Sequence, residues 1–307
     1  MIISIILLIV GFFLLSKGAD VLVDGASALA RKFNVPEIVI GLTIVACGTS
    51  APEAAVSISS VINGASGVGV GNILGSNIAN ILLILGVSAM ISNLYIQKNT
   101  IWYEIPFVAF ISVLLMFIGW RYGTISCSSA IVLCVLFLLF LFYLFMVSKK
   151  QKDDTPAIEN MSNLKMILFI ILGIIALVFG AKITVNSAIA IANALSVPER
   201  IIGLTVVAFG TSLPELVTCI VAAIKKHSDI AIGNIVGSNI FNILFVLGIT
   251  GLIQPIPFEH AFIIDSVWGI MATILLWIFV VNDKKLTKPK GFVFLVLYAL
   301  YVVSLIK

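Results

Sequence analysis

Long apolar stretches make up most of the chain and are interrupted by short groups of proline, glycine and charged residues. A helix needs about 20 apolar residues to cross a bilayer, and these stretches are long enough. Because lipid offers no partner for unpaired backbone groups, each stretch is expected to be helical. The pattern predicts ten spans, at 2–27, 36–62, 69–91, 101–119, 124–147, 164–190, 198–224, 230–252, 260–281 and 289–306.

The same sequence pattern occurs twice along the chain. Residues 36–57 read PEIVIGLTIVACGTSAPEAAVS, and residues 198–219 read PERIIGLTVVAFGTSLPELVTC. Residues 71–87, GNILGSNIANILLILGV, are matched in the same way by residues 233–249, GNIVGSNIFNILFVLGI. We therefore divide the chain into a first five-helix repeat at 1–148 (motif 36–87), a polar linker at 149–163, and a second five-helix repeat at 164–307 (motif 198–249).

The positions of lysine and arginine predict the orientation in the membrane. Most of the 18 basic residues lie in loops that follow odd-numbered spans. Since basic residues are enriched in cytoplasmic loops, the linker is expected in the cytoplasm and both termini outside. Two similar repeats of five spans must then insert with opposite orientations, which is the inverted-repeat plan of secondary transporters.

Composition agrees with an integral membrane protein. The chain is 61% hydrophobic and 10% charged, with a mean hydropathy of +1.22, whereas soluble domains carry about 25% charged residues. The net charge of +4 gives no reason to expect nucleic acid as a partner. We expect a multi-pass all-α protein of the plasma membrane, surrounded by the lipid bilayer, with no obligatory protein partner.

Each copy of the motif places one glutamate, Glu53 or Glu215, inside an apolar span. Acids at membrane depth cost about 2.5–3.5 kcal/mol on insertion scales and are usually functional. Two acids that face each other repel unless a cation lies between them. Two carboxylates together with neutral oxygen atoms suit a divalent cation such as calcium. No His or Cys accompanies the glutamates, so a zinc or copper site is not expected.

A proline directly precedes each glutamate. Inside a helix, proline lacks an N–H and clashes with the carbonyl four residues back, so loosened carbonyls are expected near Gly48 and Gly210. Thr49 is four residues before Glu53, a spacing that places both on one helical face. The matched hydroxyl candidates of the two copies are Thr49, Ser50, Thr211 and Ser212.

A second stripe of polar residues lies in the third and eighth spans. Its members recur every four residues, so they line one helical face, and their amide and hydroxyl oxygens would complete an oxygen cage. Asn77 and Asn239 lie off this face and are expected to hydrogen-bond between helices instead. The stripe consists of Asn72, Ser76 and Asn80 in the first copy and Asn234, Ser238 and Asn242 in the second.

Other features bear on packing and on the membrane boundary. Gly-x-x-x-Gly pairs at 71–75 and 233–237 predict close helix contacts. Glu104 and Asp265 lie near the starts of spans and are expected at the interface with the headgroups. His227 is expected to be a solvated loop residue.

The motifs GTSAPE (48–53) with GSNIAN (75–80), and GTSLPE (210–215) with GSNIFN (237–242), resemble the alpha repeats of the calcium/cation antiporter superfamily. The resemblance is greatest to its prokaryotic sodium/calcium exchanger branch. It implies an antiporter, not an enzyme, that exchanges calcium for sodium by alternating access, with the transported ions in place of any cofactor. It also implies that segments 1 and 6 slide over the other spans, with Gly18 and Gly180 at a close helix contact.

The resemblance implies a role for each matched residue. Glu53 and Glu215 would bind calcium and share in binding sodium, and Asn80 would lie at the centre of the site. Asn242 stands where family members often carry an aspartate. The backbone carbonyls of Thr49 and Thr211 would join the calcium site, and Ser50, Ser212, Ser76 and Ser238, with the carbonyls of Ala46 and Ala208, would supply sodium sites.

Three other functions stay open on the residues alone. A calcium/proton antiporter would use the same two glutamates and release calcium on protonation. An intramembrane hydrolase would need two acids in different environments, whereas these two have identical contexts and the sequence has no His-Glu-x-x-His motif. A passive cation channel would show flux without dependence on a counter-ion.

Overall fold

The computed structural model describes residues 2–150, 161–195 and 208–306, and most of these residues are helical. Four two-residue strands lie in the loops: β1 (Leu94–Tyr95), β2 (Thr124–Ile125), β3 (Ile256–Pro257) and β4 (Lys285–Leu286). The helices are α1 (Ile2–Lys32), α2 (Glu37–Thr49), α3 (Ala51–Ile62), α4 (Ser66–Ile91), α5 (Thr100–Tyr122), α6 (Cys127–Lys150), α7 (Asn163–Ala194), α8 (Ala208–Gly210), α9 (Leu213–Ile224), α10 (Ser228–Ile253), α11 (Ala261–Val280) and α12 (Lys288–Ile306).

Nine of the ten predicted spans match helices in the described ranges. Eight helices are long and apolar enough to cross a membrane singly, namely α1, α4, α5, α6, α7, α10, α11 and α12. The ninth span is the pair α2–α3, bent by 50°. The tenth, 198–224, is described only from Ala208 on, so its first part lies outside the described residues. The linker prediction needs one correction, since α6 continues to Lys150; residues 151–160 of the linker also lie outside.

Two helices occupy the centre of the protein. In the most apolar window of α10, 94% of the residues are buried, and in α4 78% are buried, against 17–39% in the other long helices. Wide π-helical turns interrupt both central helices, at Asn80–Ile84 in α4 and at Phe241–Val246 in α10. Such turns are rare in proteins as a whole, and where they occur they are frequently at functional sites. The polar stripes of the two copies therefore face each other in the interior.

Small residues allow the closest helix contacts. A Cβ atom on Gly237 of α10 would lie 2.6 Å from the carbonyl oxygen of Leu42 in α2, so the contact predicted from the 233–237 pair is confirmed. The matching partner of the 71–75 pair would lie in residues 198–207, outside the described residues, so that contact stays a prediction. A Cβ on Gly180 of α7 would lie 2.9 Å from the amide nitrogen of Leu15 in α1, which confirms the close contact between segments 1 and 6.

The short strands tie loops of the two repeats together. Strand β1, after α4, pairs with β4, between α11 and α12, so that Leu94 faces Leu286. Strand β2, between α5 and α6, pairs with β3, after α10, so that Ile125 faces Ile256. Helix α4 therefore ends beside the α11–α12 loop, whereas α10, its sequence counterpart, ends beside the α5–α6 loop.

Candidate cation site

The two repeated glutamates lie in the first turns of short helices, Glu53 in α3 and Glu215 in α9. Both side chains are fully buried. Thr49 and Glu53 were expected to share one face of a continuous helix. This prediction is wrong, because the 50° bend falls between them, at Ser50. The proline begins a new helix, where its missing N–H leaves no intrahelical bond unmade, and does not kink a continuous one. The helix N-termini also favour negative charge at these positions.

Each carboxylate is held by a serine of the other copy. Ser50 Oγ donates to Glu215 Oε1 at 2.7 Å, and Ser212 Oγ donates to Glu53 Oε1 at 3.1 Å. The two bonds are equivalent under exchange of the copies, so the acids are drawn to the boundary between the repeats. The structure thus brings together residues that lie far apart in the sequence.

The second oxygen of each carboxylate has no protein partner. Glu53 Oε2 and Glu215 Oε2 are buried and accept no hydrogen bond, and in the described part of the chain neither glutamate forms an ion pair. Leaving a buried charge unpaired is costly, and buried charges normally pair or bind a metal ion. No group of three or more His, Cys, Asp and Glu side chains converges among the described residues, so the site consists of two carboxylates and neutral oxygens.

The threonines and outer asparagines bridge the copies as well. Thr49 Oγ1 donates to Asn234 Oδ1 at 2.9 Å, and Thr211 Oγ1 donates to Asn72 Oδ1 at 3.2 Å. The threonine hydroxyls are therefore occupied as donors. Asn72 and Asn234, members of the predicted stripe, position the broken helices from behind.

Four asparagines form a crossed network between α4 and α10. Asn80 Nδ2 donates to Asn239 Oδ1 at 3.0 Å, and Asn242 Nδ2 donates to Asn77 Oδ1 at 3.1 Å. The amides of Asn77 and Asn239 in turn donate to each other's backbone carbonyls at 3.4 and 3.2 Å, which confirms their expected role between helices. The amide nitrogens of Asn80 and Asn242 are thus engaged, while their buried Oδ1 atoms accept no bond from the described residues.

The remaining predicted ligands lie in the same buried region or next to it. Ser76 Oγ lies 3.2 Å from Ser212 Oγ, while Ser238 Oγ is buried without a partner among the described residues. The Ala46 carbonyl accepts the amide of Ser50 at 3.0 Å and lies 3.3 Å from the hydroxyl oxygen of Thr49. Ala208 begins α8, just before the GTSLPE segment at 210–215.

Some polar contacts were not foreseen from the sequence. His227 was expected to be solvated, which is wrong, because its Nδ1 lies 2.9 Å from Glu37 Oε2 and 3.3 Å from Ser27 Oγ. Lys225 pairs with Asp20 at 2.5 Å and with Asp24 at 2.7 Å. These contacts join α1 to the α9–α10 loop, and no local sequence signal identifies partners so distant along the chain.

A multi-pass helical protein with a buried, oxygen-rich site built from duplicated broken helices has the architecture of a secondary transporter. Similarity to known proteins identifies the family within this class. A family model described as sodium/calcium exchanger protein matches residues 3–146 and 165–307. The chain belongs to this family, in the prokaryotic branch of the calcium/cation antiporter superfamily.

Known relatives cover most of the chain. The inner membrane protein YrbG of Escherichia coli K12 is 37% identical over 265 residues, which cover 83% of this chain and 81% of YrbG. The sodium/calcium exchanger MaX1 of Methanosarcina acetivorans is 33% identical over 344 residues, covering 99% and 98% of the two chains. A solved structure of the sodium-calcium exchanger NCX_Mj matches with a TM-score of 0.87 at 34% identity over 99% of each chain.

Proposed function

We propose that the protein exchanges calcium for sodium across the plasma membrane by alternating access, with Glu53 and Glu215 as ligands for which the two ions compete. The observation that carries the proposal is the set of unpaired acceptors. Among the described residues, no donor reaches two buried carboxylate oxygens and two buried amide oxygens, those of Asn80 and Asn242. Bound cations would satisfy all four.

The type of ligand favours calcium and sodium. Both are hard cations that take carboxylate, carbonyl and amide oxygens. Two glutamates supply two formal negative charges, which balance one divalent ion or two monovalent ones. An ion of one kind must leave before the other binds the same carboxylates, and such competition, together with alternating access, is sufficient for exchange.

The hydrogen bonds suggest how the other ligands divide. Because the hydroxyls of Thr49 and Thr211 donate to asparagines of the opposite copy, we assign their backbone carbonyls to the calcium site. Sodium ions would be bound beside calcium's position by hydroxyls and carbonyls that flank the glutamates. These sodium ligands are Ser50, Ser212, Ser76 and Ser238 and the carbonyls of Ala46 and Ala208.

We further propose that the two repeats, 1–148 and 164–307, insert with opposite orientation as ten spans with both termini outside. The strand pairs support this arrangement. They join the 3–4 loop to the 9–10 loop and the 4–5 loop to the 8–9 loop, and in each pair both loops are expected on the same side of the membrane. Helices α4 and α10 are counterparts in the two repeats and would end on opposite sides of the membrane, as expected for inverted repeats.

Sodium coupling rests on the relatives. MaX1 and NCX_Mj are named as sodium/calcium exchangers, and the GTS-x-PE motifs agree with them. A calcium/proton antiporter with the same glutamates is the alternative that the experiment must separate.

The test is uptake of radiolabelled calcium into proteoliposomes loaded with sodium, choline or acid and then diluted into sodium-free neutral buffer. The proposal predicts uptake only from the sodium-loaded vesicles. Uptake driven by the acid load alone would replace sodium coupling with proton coupling. Equal uptake in all three would mean a passive pathway. Glu259→Gln, the same chemical change at an exposed loop residue, provides a control that should behave as the wild type.

A further inference from the structure

Glu104 is a third buried acid, outside the candidate cation site. It ends the π-helical segment Thr100–Glu104 at the start of α5 and is 3% exposed, so it is shielded from water at the interfacial depth expected for it. Its Oε1 accepts a hydrogen bond from the hydroxyl of Tyr143 in α6. Its Oε2 is buried without a hydrogen-bond partner. A carboxylate in this position needs a donor or a cation to offset the loss of hydration.

Glu104 lies at the wall of a groove between α5 and α6 that encloses about 460 Å³. The outer rim of the groove consists of large side chains that are half or more exposed on the lipid-facing surface, such as Trp102, Tyr103 and Leu139. Aromatic rings predominate in the rest of the lining, and Phe107 stacks on Phe140 with ring centroids 5.5 Å apart. The groove is therefore apolar and aromatic, with one carboxylate at its wall.

The groove lies at one end of the helices, at the level expected for lipid headgroups. Helix α5 begins at Thr100, two residues after Lys98, and α6 ends at Lys150. The ammonium of Lys149 lies 4.4 Å from the ring of Phe145. Tryptophan and tyrosine collect at this depth in membrane proteins, while lysine extends toward the phosphates.

We propose that this groove binds a phospholipid with a primary ammonium headgroup, phosphatidylethanolamine. The ammonium donates a hydrogen bond to Glu104 Oε2, and the faces of Trp102 and Tyr103 add cation–π attraction. The phosphate faces Lys98 and Lys149, and an acyl chain lies along the apolar part of the groove.

The ligand chemistry follows from what the groove offers. One carboxylate with a single free oxygen, beside a tyrosine hydroxyl that acts as donor, gives too few oxygen ligands for a calcium ion, which takes 6–8. An ammonium needs only one acceptor and gains from aromatic faces. The quaternary ammonium of phosphatidylcholine has no N–H, so it would use the rings but not Glu104. Phosphatidylglycerol has no cation and would use neither.

The second repeat contains a related pair that serves as a control. Tyr301 of α12 donates to Asp265 of α11 at 3.2 Å, as Tyr143 donates to Glu104. Asp265 is only partly buried, so water reaches it and no ligand is required. Asp265→Asn removes the same kind of charge from the matching helix of the other repeat.

The experiment is native mass spectrometry of delipidated full-length protein with added phosphatidylethanolamine, phosphatidylcholine or phosphatidylglycerol of identical acyl chains. Because a hydrogen bond to a charged group is among the stronger ones, we expect the wild type to bind phosphatidylethanolamine about tenfold more tightly than phosphatidylcholine. Glu104→Gln should reduce binding of phosphatidylethanolamine to the level of phosphatidylcholine. Asp265→Asn should leave the preference unchanged.

Equal binding of the three lipids by the wild type would overturn the proposal, as would a Glu104→Gln variant that keeps the preference. If Glu104→Gln does not fold, the ratio measured on the wild type still decides. The readout is lipid binding, so its result is independent of whether calcium is exchanged for sodium or for protons.

Discussion

The two copies of the motif are alike at the glutamates and differ one helical turn away. At the centre, most bonds that cross between the copies occur twice, as in Ser50 with Glu215 at 2.7 Å and Ser212 with Glu53 at 3.1 Å. The exception is the contact of Ser212 with Ser76, because Ser238 has no matching partner among the described residues. The asparagine network repeats in the same way, at 3.0 and 3.1 Å. Contacts that are reciprocal under exchange of two units are those of a two-fold arrangement.

The copies diverge behind the stripe of asparagines. In the first copy, Asn72 Nδ2 donates to Ser57 Oγ at 3.0 Å. In the second, the position of Ser57 is occupied by Cys219, whose thiol donates to the carbonyl of Ala231. Asn234 Nδ2 is left buried without a partner in the described part of the chain.

This difference separates two kinds of position. Under the proposed mechanism, residues that face the boundary between the copies would act on the same bound ions, so a change in one copy would unbalance the other. Residues behind them do not face this boundary and can diverge at the cost of local stability. Changes at the centre should therefore impair ion binding equally from either copy, and changes behind it should alter stability in one copy only.

The largest effect is expected for Glu53→Gln and Glu215→Gln. Each removes one charged ligand, and because calcium affinity depends steeply on the number of charged ligands, sodium-dependent calcium uptake should fall about 100-fold or more. Both variants should lose activity to a similar extent. Uptake in proteoliposomes, normalised to the amount of reconstituted protein, measures this. Retention of activity by either variant would break the symmetry on which the mechanism rests.

The next largest effect is expected for Asn77 and Asn239, whose side chains accept hydrogen bonds from the amides of Asn242 and Asn80. Asn77→Ala removes the acceptor of Asn242, and Asn239→Ala removes the acceptor of Asn80, so the freed amides can rotate. Loss of such supporting partners typically costs about 10–100-fold in metal affinity. The KM for calcium should rise in both variants with little change in the maximal rate. A fall in maximal rate at constant KM would instead indicate a purely structural role.

The difference between Ser57 and Cys219 predicts opposite changes in stability for exchanges at the two positions. Cys219→Ser supplies an acceptor for Asn234, and Ser57→Cys removes the acceptor of Asn72. Each hydrogen bond is worth about 1 kcal/mol, which corresponds to a shift of about 2 °C in Tm. Thermal unfolding in detergent should show a higher Tm for the first variant and a lower Tm for the second, with the KM for calcium unchanged in both. Shifts of the same sign would contradict the comparison.

The smallest effect is expected in the loops before the last helix of each repeat. In the second repeat Lys290 donates to Asp283 at 2.7 Å, and this bond lowers the pKa of Asp283 below its ordinary value. At the matched position of the first repeat, Ser128 shares a neutral bond of 2.9 Å with Ser126.

Because the pKa of Asp283 is lowered in the folded state, its contribution to stability is present at neutral pH and is lost as the pH falls through that lowered pKa. Asp283→Asn should therefore lower Tm slightly at pH 7 and should not lower it at an acidic pH below the lowered pKa of Asp283, where the native carboxylate is protonated. Ser128→Ala should show no such pH dependence. A constant effect of Asp283→Asn at both pH values would exclude an ionic contribution.

The local sequence predicted the spans and the two acids, because both depend on features a few residues long. Hydrophobic length identifies helices, and a glutamate in an apolar span is unusual in any context. The proline was expected to loosen carbonyls near Gly48 within a continuous helix, whereas the helix breaks at Ser50, because the sequence does not tell whether a proline kinks one helix or begins another.

The contacts between copies could not be derived from the sequence, since they join residues far apart along the chain. Nothing near Ser50 indicates that it contacts Glu215 and not Glu53, and nothing near His227 indicates Glu37. One signal was available for Asn77 and Asn239. Both are repeated yet lie off the polar stripe, and such a pair is free to bridge the two central helices.

Competition between calcium and sodium for the two carboxylates is the central claim, and equilibrium binding tests it most directly. Binding of radiolabelled calcium to the purified protein is measured at rising sodium, with choline holding the ionic strength constant. The account predicts that sodium raises the apparent Kd for calcium without changing the number of sites, and that Glu53→Gln abolishes binding while Glu259→Gln does not. A calcium affinity that does not respond to sodium, or unchanged binding in Glu53→Gln, would contradict it.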